Sequence, residues 1–217
     1  MKEKFQRNNS ENKPYYTQRN NRLRPNGACN VTSMIAALSA AGWNVDRLAA
    51  AGFPQPEDAL MHFILADKTV DSYWHKLDPA GRYAPNEWHP VLAYGTNRYM
   101  RQCGILGEKE NAVEWGERRT LSDIVKTLKD GGAAVLSGVF VAEGKMTIGH
   151  VVSCVGFQED EEGNLTALIL DDSWGDYHTE YANHNGNDVV MSIEDFKAKI
   201  RSCGQDVKMA HIVRKAA

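Results

Sequence analysis

The sequence predicts an α+β fold, on three observations. Apolar residues recur at helical spacing between Cys29 and Lys129. After Gly132 they gather into short, partly β-branched runs. The two kinds of stretch are segregated along the chain instead of alternating, which gives helices first and an antiparallel sheet after. A length of 217 residues favours one domain.

Residues 1–14 are polar, rich in Asn and Lys, and read as a flexible arm, which leaves 15–217 as the single domain. Residues 15–28 carry Gln, Asn, Arg, Pro and Gly and read as a loop. The pattern changes at Cys29. Val31, Met34, Ile35, Leu38 and Ala41 mark one helix, stopped by Gly42. Pro56 to Asp67 is a second, with Pro near its start and Leu60, Phe63 and Ile64 on one face. Residues 87–102 suit a third if Pro90 lies in its first turn. Leu121 to Lys129 is a fourth, capped by Thr120 or Ser122 and closed by Gly131 and Gly132. The strands expected are Ala133–Val141, Val151–Phe157, Leu165–Asp171 and Lys208–Arg214. The acidic link Gln158–Asn164, with its Gly-Asn tip, suits a hairpin. Ile193–Ile200 forms a late helix, with Ser192 as cap and Asp195 three residues on.

Hydrophobic residues make up 42% and charged residues 24%, the balance of a water-soluble globular chain. A formal net charge of -3 gives no reason to expect a nucleic-acid partner. Three arginines fall between Arg19 and Arg24, interleaved with Asn and lacking an aromatic platform, which suits a basic loop near the mouth of a site. No run approaches the ~18 apolar residues of a membrane span. The polar start lacks the apolar core of a secretory signal, so the expectation is a cytoplasmic protein, with release by lysis or export by another route left open. The four cysteines include no C-x-x-C and no metal-type pairing, and neither a metal nor a cofactor is expected. Cys154, in the apolar run Val151–Phe157, reads as core. Cys103 and Cys203 leave a disulfide open.

Three segments could carry chemistry. In Asn26-Gly27-Ala28-Cys29-Asn30-Val31-Thr32-Ser33 the thiol sits at the first turn of a helix. The helix dipole and free N–H groups there favour a thiolate. Gly27 and Ala28 leave room for a substrate backbone. A small buried cysteine is the plainer reading. In Ile148-Gly149-His150-Val151-Val152-Ser153-Cys154 the imidazole opens an apolar strand after glycine, where it can face a cleft. A neutral imidazole is the usual base for a thiol. The other six histidines read as hydrogen-bonded structural residues. In Leu170-Asp171-Asp172-Ser173-Trp174-Gly175 a carboxylate ends an apolar strand, within reach of a neighbouring strand's His150. It could fix the ring's tautomer and stabilise imidazolium, with Trp174 shielding the pair.

The order Cys29, His150, Asp172, with G-H-V-V-S-C-V-G-F and D-S-W-G, resembles the papain-like cysteine peptidases. In that family a histidine begins a strand of the type H-x-V-x-x-V-G, and the orienting residue sits in N-S-W-G. Asp172 here, and the N-G-A-C-N-V-T-S start, are more similar to the bacterial branch related to bacteriocin-leader-processing peptidases, where C-G-x-T-S is common. Asn30 stands where glycine is usual. The family places a glutamine upstream of the nucleophile as an oxyanion donor, and Gln18 in Tyr15-Tyr16-Thr17-Gln18 matches it. The resemblance covers residues 15–41 and 148–176. It implies a papain-like fold, a peptide or protein substrate, and acyl transfer through Cys29, His150 and Asp172, with Gln18 and the Cys29 N–H as the oxyanion hole. Other readings stay open: a cell-wall amidase or endopeptidase, phage-borne or released by lysis, acting on peptidoglycan peptide; an acyltransferase or transglutaminase on the same triad; and a peptidase-like binding module without activity. Residues 42–147, including Trp74, Trp88 and Trp115, match nothing in the resemblance, and the three indoles are expected mainly in the core.

Overall fold

The computed structural model describes residues 5–81, 85–142, 146–201 and 207–217. Among these, seven strands form one sheet: Phe5–Asn8 (β1), Val113–Thr120 (β2), Ala133–Ala142 (β3), Met146–Glu159 (β4), Leu165–Asp171 (β5), Val189–Ser192 (β6) and Val207–Val213 (β7). They run β2-β7-β3-β4-β5-β6, with β1 on β4, and every pairing is antiparallel. The helices are Cys29–Ala40 (α1), Pro56–Ala66 (α2), Lys68–Leu77 (α3), Pro85–Gln102 (α4), Leu121–Lys129 (α5) and Ile193–Lys199 (α6). The mixture of helix and antiparallel sheet is the α+β class expected.

Both faces of the sheet are covered. Strand alternation sends Val135, Val151 and Ile169 to one face, where they meet Val31 and Ile35 of α1, Leu60 and Ile64 of α2, and Val91 and Leu92 of α4. It sends Leu136, Val152 and Leu170 to the other, against Ile124 and Leu128 of α5 and Phe196 of α6. A strand buried on both faces has no polar side, which is why these strands read as continuous apolar runs. α1 is buried on all sides from Val31 to Ala40. It lies along β4, where Ser33 Oγ donates to the Val151 carbonyl at 2.8 Å.

Several expectations are corrected. The arm proposed over residues 1–14 holds β1, paired from Phe5↔Glu159 to Asn8↔Gly156. β3 pairs with β4 as far as Ala134↔Cys154, so β1 takes over the same edge of β4 where β3 stops. The approach depends on Gly156, since a Cβ there would come within 2.1 Å of the Arg7 carbonyl oxygen. Asn9 secures the join by donating to the Leu128 and Gly132 carbonyls at 2.9 and 2.8 Å. Pro90 lies inside α4 instead of in its first turn, because the helix begins at Pro85, a position that tolerates a missing N–H. α3, β2 and β6 were not expected. α3 buries only Val70 and is held by the Asp67 side chain accepting from the Thr69 and Val70 N–H groups at 2.9 Å. The cap of α5 is Thr120, in a full capping box with Asp123.

Candidate active site

Cys29 is the first residue of α1, and Ala28 before it makes no side-chain cap, so the positive end of the helix lies under the thiol. Asn30 turns its Oδ1 back onto the Val31 N–H at 2.8 Å. His150 lies in β4 opposite Gly138 of β3. Asp172 follows the last residue of β5, and the pairing Ser153↔Asp171 brings that strand end beside the His150 stretch of β4.

The imidazole and carboxylate meet in the interior. His150 Nε2 is 2.6 Å from Asp172 Oδ1, with both side chains buried. Oδ1 also accepts the Trp174 N–H at 2.9 Å, and Oδ2 accepts from the Tyr181 hydroxyl at 3.3 Å. With Nε2 facing Asp172, the nitrogen toward Cys29 is Nδ1, and a side-chain hydrogen bond joins thiol and ring. Phe140 and Tyr181 stand edge-on to the ring, at 5.6 and 5.8 Å between centroids, and restrict its rotation.

Opposing influences act on each group. Burial pushes the Cys29 thiol up, but the hydrogen bond and charge of His150, with a smaller share from the Val151 backbone, outweigh it and hold the thiol below its usual range. Burial pushes His150 down, but the charge and hydrogen bond of Asp172, followed by Cys29, raise it above the usual imidazole value. The net directions favour a thiolate beside an imidazolium. By contrast, burial pushes the Cys154 thiol up to about 12, and also raises Cys103. Cys103 is free, and Cys203 lies outside the described residues.

Gln18 belongs to the same construction. Its side chain is buried, Nε2 donates to the Pro25 carbonyl at 2.8 Å, and Oε1 accepts from Ser173 Oγ at 2.7 Å. Because a carbonyl only accepts, this fixes which end of the amide is nitrogen, and one N–H remains over. Its backbone N–H also reaches the Ser173 carbonyl at 3.0 Å, so the residue after Asp172 orients Gln18 twice. Arg19 lies over the Trp174 ring at 3.9 Å and donates from Nε to the Trp174 carbonyl. Asp58, fully buried, accepts the Arg22 and Leu23 N–H groups and ties this basic loop to α2.

Next to the thiol, on the helical side, is a cavity of about 670 Å³. Gly27 and Asn30, on either side of Cys29, line one part of it, Met61, Ile64, Leu65, Trp74 and Trp88 supply apolar surface, and Arg24, Asp71, His75 and Asp78 supply polar surface. The indoles of Trp74 and Trp88 lie 4.8 Å apart at 56°. The expectation that all three tryptophans serve mainly the core is corrected for these two, which pack on it and also line the cavity. Trp115 keeps a structural place, stacked on His89 at 4.6 Å, beside His211, whose Nε2 meets the His89 carbonyl at 2.9 Å. Burial depresses both of these imidazoles, His89 to about 4 and His211 to about 3.

The sequence reading missed Tyr181, Ser173 and Tyr15, whose hydroxyl donates to the Asp172 carbonyl at 2.6 Å. Ser173 had a signal, the serine of the D-S-W-G motif. The two tyrosines had none. Among the described residues no cluster of His, Cys, Asp and Glu could hold a metal ion, and no helix is long and apolar enough to cross a membrane.

A profile of the Peptidase_C39 like family matches residues 10–198, a span that takes in the 42–147 stretch left unassigned above. A search of curated proteins finds no match.

Proposed function

The chain belongs to the Peptidase_C39 like family, and on that premise we propose that it hydrolyses peptide amide bonds with Cys29 as nucleophile, His150 as acid and base, and Asp172 as the residue orienting His150. The observation that carries this reading is the contact of the Cys29 thiol with an imidazole whose far nitrogen is 2.6 Å from a buried carboxylate. A structural histidine has no need of a thiol at a helix start on one side and a carboxylate on the other.

Each step follows from the groups in place. The thiolate adds to the amide carbonyl carbon, forming the S–C bond as the C=O electron pair moves to oxygen. The Cys29 N–H and the spare Gln18 Nε2–H receive that oxyanion. As the C–N bond breaks, His150 passes its Nδ1 proton to the leaving nitrogen, and the acyl group stays on sulfur. Water then attacks the thioester. His150 takes its proton, the acid departs, and the thiolate–imidazolium pair is restored. Asp172 holds the ring and balances its charge throughout. A substrate side chain would occupy the cavity beside Gly27 and Asn30, where Trp88 Nε1 is buried with no hydrogen-bond partner among the described residues.

Competitive alkylation with iodoacetamide near pH 6, followed by peptide mapping, tests the nucleophile. Cys29 should be modified at least about 100-fold faster than Cys103 and Cys154, whose thiols stay protonated. Equal labelling of the three, or a Cys29→Ala protein that still turns over peptide, would overturn the reading.

A further inference from the structure

Arg201 follows α6 and is anchored to the sheet by its backbone, whose N–H donates to the Ser137 carbonyl at 2.9 Å. Its neighbour Ile200 bridges to Gly138, the residue paired with His150. The side chain crosses β3 toward β4 and ends over Gly149, with Nη2 3.1 Å from where a Cβ on that glycine would stand. Gly149 immediately precedes His150 and is exposed. By strand alternation it shares a face with Val151, which packs against α1, so the guanidinium lies on the nucleophile's face of the sheet.

Among the described residues this guanidinium has no counter-charge. None of the ion pairs among the described residues includes Arg201, and its Nε is buried with no hydrogen-bond partner. The titratable group that senses it is His89, a base, held largely neutral by burial and then by the nearby arginine. An arginine with its fork open among the described residues, over an exposed glycine one residue before His150, has the geometry for a carboxylate. It is absent from the walls of the tryptophan cavity, so it would meet a different part of the substrate.

We propose that Arg201 is a specificity-determining residue that receives a carboxylate of the substrate within a few residues of the scissile bond. The proposal rests on the hydrolase reading above and adds a chemical class to it: substrates bearing an acidic side chain or a terminal carboxylate near the cleaved amide. The missing side chain at position 149 lets the guanidinium lie over the strand there, and its open fork supplies the recognition.

The test uses peptidyl chloromethyl ketones, which need only one displacement by Cys29. Each carries Glu or Gln at one of the three positions next to the reactive group, with the N-terminus acetylated. In the wild-type protein, Glu at one position should speed Cys29 labelling by about 10- to 100-fold over Gln. Arg201→Gln should erase that ratio, with an unchanged melting temperature reporting an intact fold. Arg201→Glu should transfer the preference to Lys at the same position. A parallel set of fluorogenic peptides, ending in a free carboxylate or an amide at successive distances past the scissile bond, separates a terminal carboxylate from an acidic side chain. Labelling that shows no Arg201-dependent Glu preference, with no free-carboxylate preference in the second set, would overturn the inference and leave the hydrolase reading standing. Failure of every probe to label Cys29 would remove both.

Discussion

On the sheet side of the site, the groups that hold the imidazole and the Gln18 amide are satisfied from within the protein. Asp172 receives Nε2 of His150, a backbone N–H and a tyrosine hydroxyl, and Ser173 locks the Gln18 amide. On the helical side, α2, α3 and α4 leave a cavity of about 670 Å³, with an indole N–H of Trp88 on its wall that is buried and has no partner among the described residues. One side is closed and pre-oriented; the other is open and unfinished. The difference separates two tasks. Reaction geometry needs groups that do not reorganise, and recognition needs surface that a ligand completes.

If this division is right, changes on the closed side should cost turnover and leave substrate affinity alone. The largest effect belongs to His150→Ala, which removes both the base and the charge that lowers the thiol. Peptide turnover should fall by more than about 10³-fold, and the Cys29 alkylation rate at pH 6 should fall with it. It also strands the Asp172 carboxylate in the interior, so a lower melting temperature should accompany the loss.

Gln18→Ala comes next and separates oxyanion binding from thiolate formation. Acylation should slow by about 10²–10³-fold, while iodoacetamide still labels Cys29 at close to the wild-type rate. Retention of both rates would assign Gln18 to the loop's structure alone.

Asp172→Asn should reduce turnover by about 10²-fold without abolishing it, since an amide oxygen can still accept from Nε2. The pH profile carries the sharper signal. Asp172 raises His150, so the proton that His150 would give to the leaving group in the proposed mechanism is lost only at high pH in the wild type. Without the carboxylate's charge the alkaline limb should move to lower pH, measured as kcat/KM against pH. An unmoved limb would show that Asp172 does not set the ionisation of His150.

The smallest effect tests the open side. Nothing lies within 4 Å of a Cβ built on Gly27, so Gly27→Leu should fold normally while filling the cavity mouth. KM for a peptide with a bulky apolar residue should rise about tenfold, while iodoacetamide, too small to use the cavity, labels Cys29 as before. An unchanged KM would mean that the substrate does not enter this cavity.

The closed side was also the more legible in the sequence. The sheet strands that pack against helices on both faces betray themselves as apolar runs, and His150 and Asp172 stand out because each is a polar residue at the end of such a run. α1 was readable for the same reason, being apolar all round. β2 was not, because its Glu, Arg and Thr residues leave it mostly half-exposed at the edge of the sheet, and α3 offered Val70 alone. Gln18, among polar neighbours, was reached through the family resemblance and not through any local pattern. Its burial comes from partners distant in sequence, Ser173 above all, which no local pattern displays. The same holds for Tyr181, held in a left-handed turn at φ 67°, and for β1, whose place is decided by a glycine on the far strand.

The pairing of a helix near the start of the chain with strands near its end also bears on synthesis. Cys29 leaves the ribosome long before His150 and Asp172. Until β4 is laid against α1, the imidazole that does most to lower the thiol is missing. A nascent or unfolded chain therefore lacks the low thiol, and the proposed nucleophile is completed only by closure of the whole domain. The rate at which Cys29 becomes alkylatable during refolding is then a direct clock for the docking of sheet on helix, one of the long-range steps that slow folding in chains of this topology.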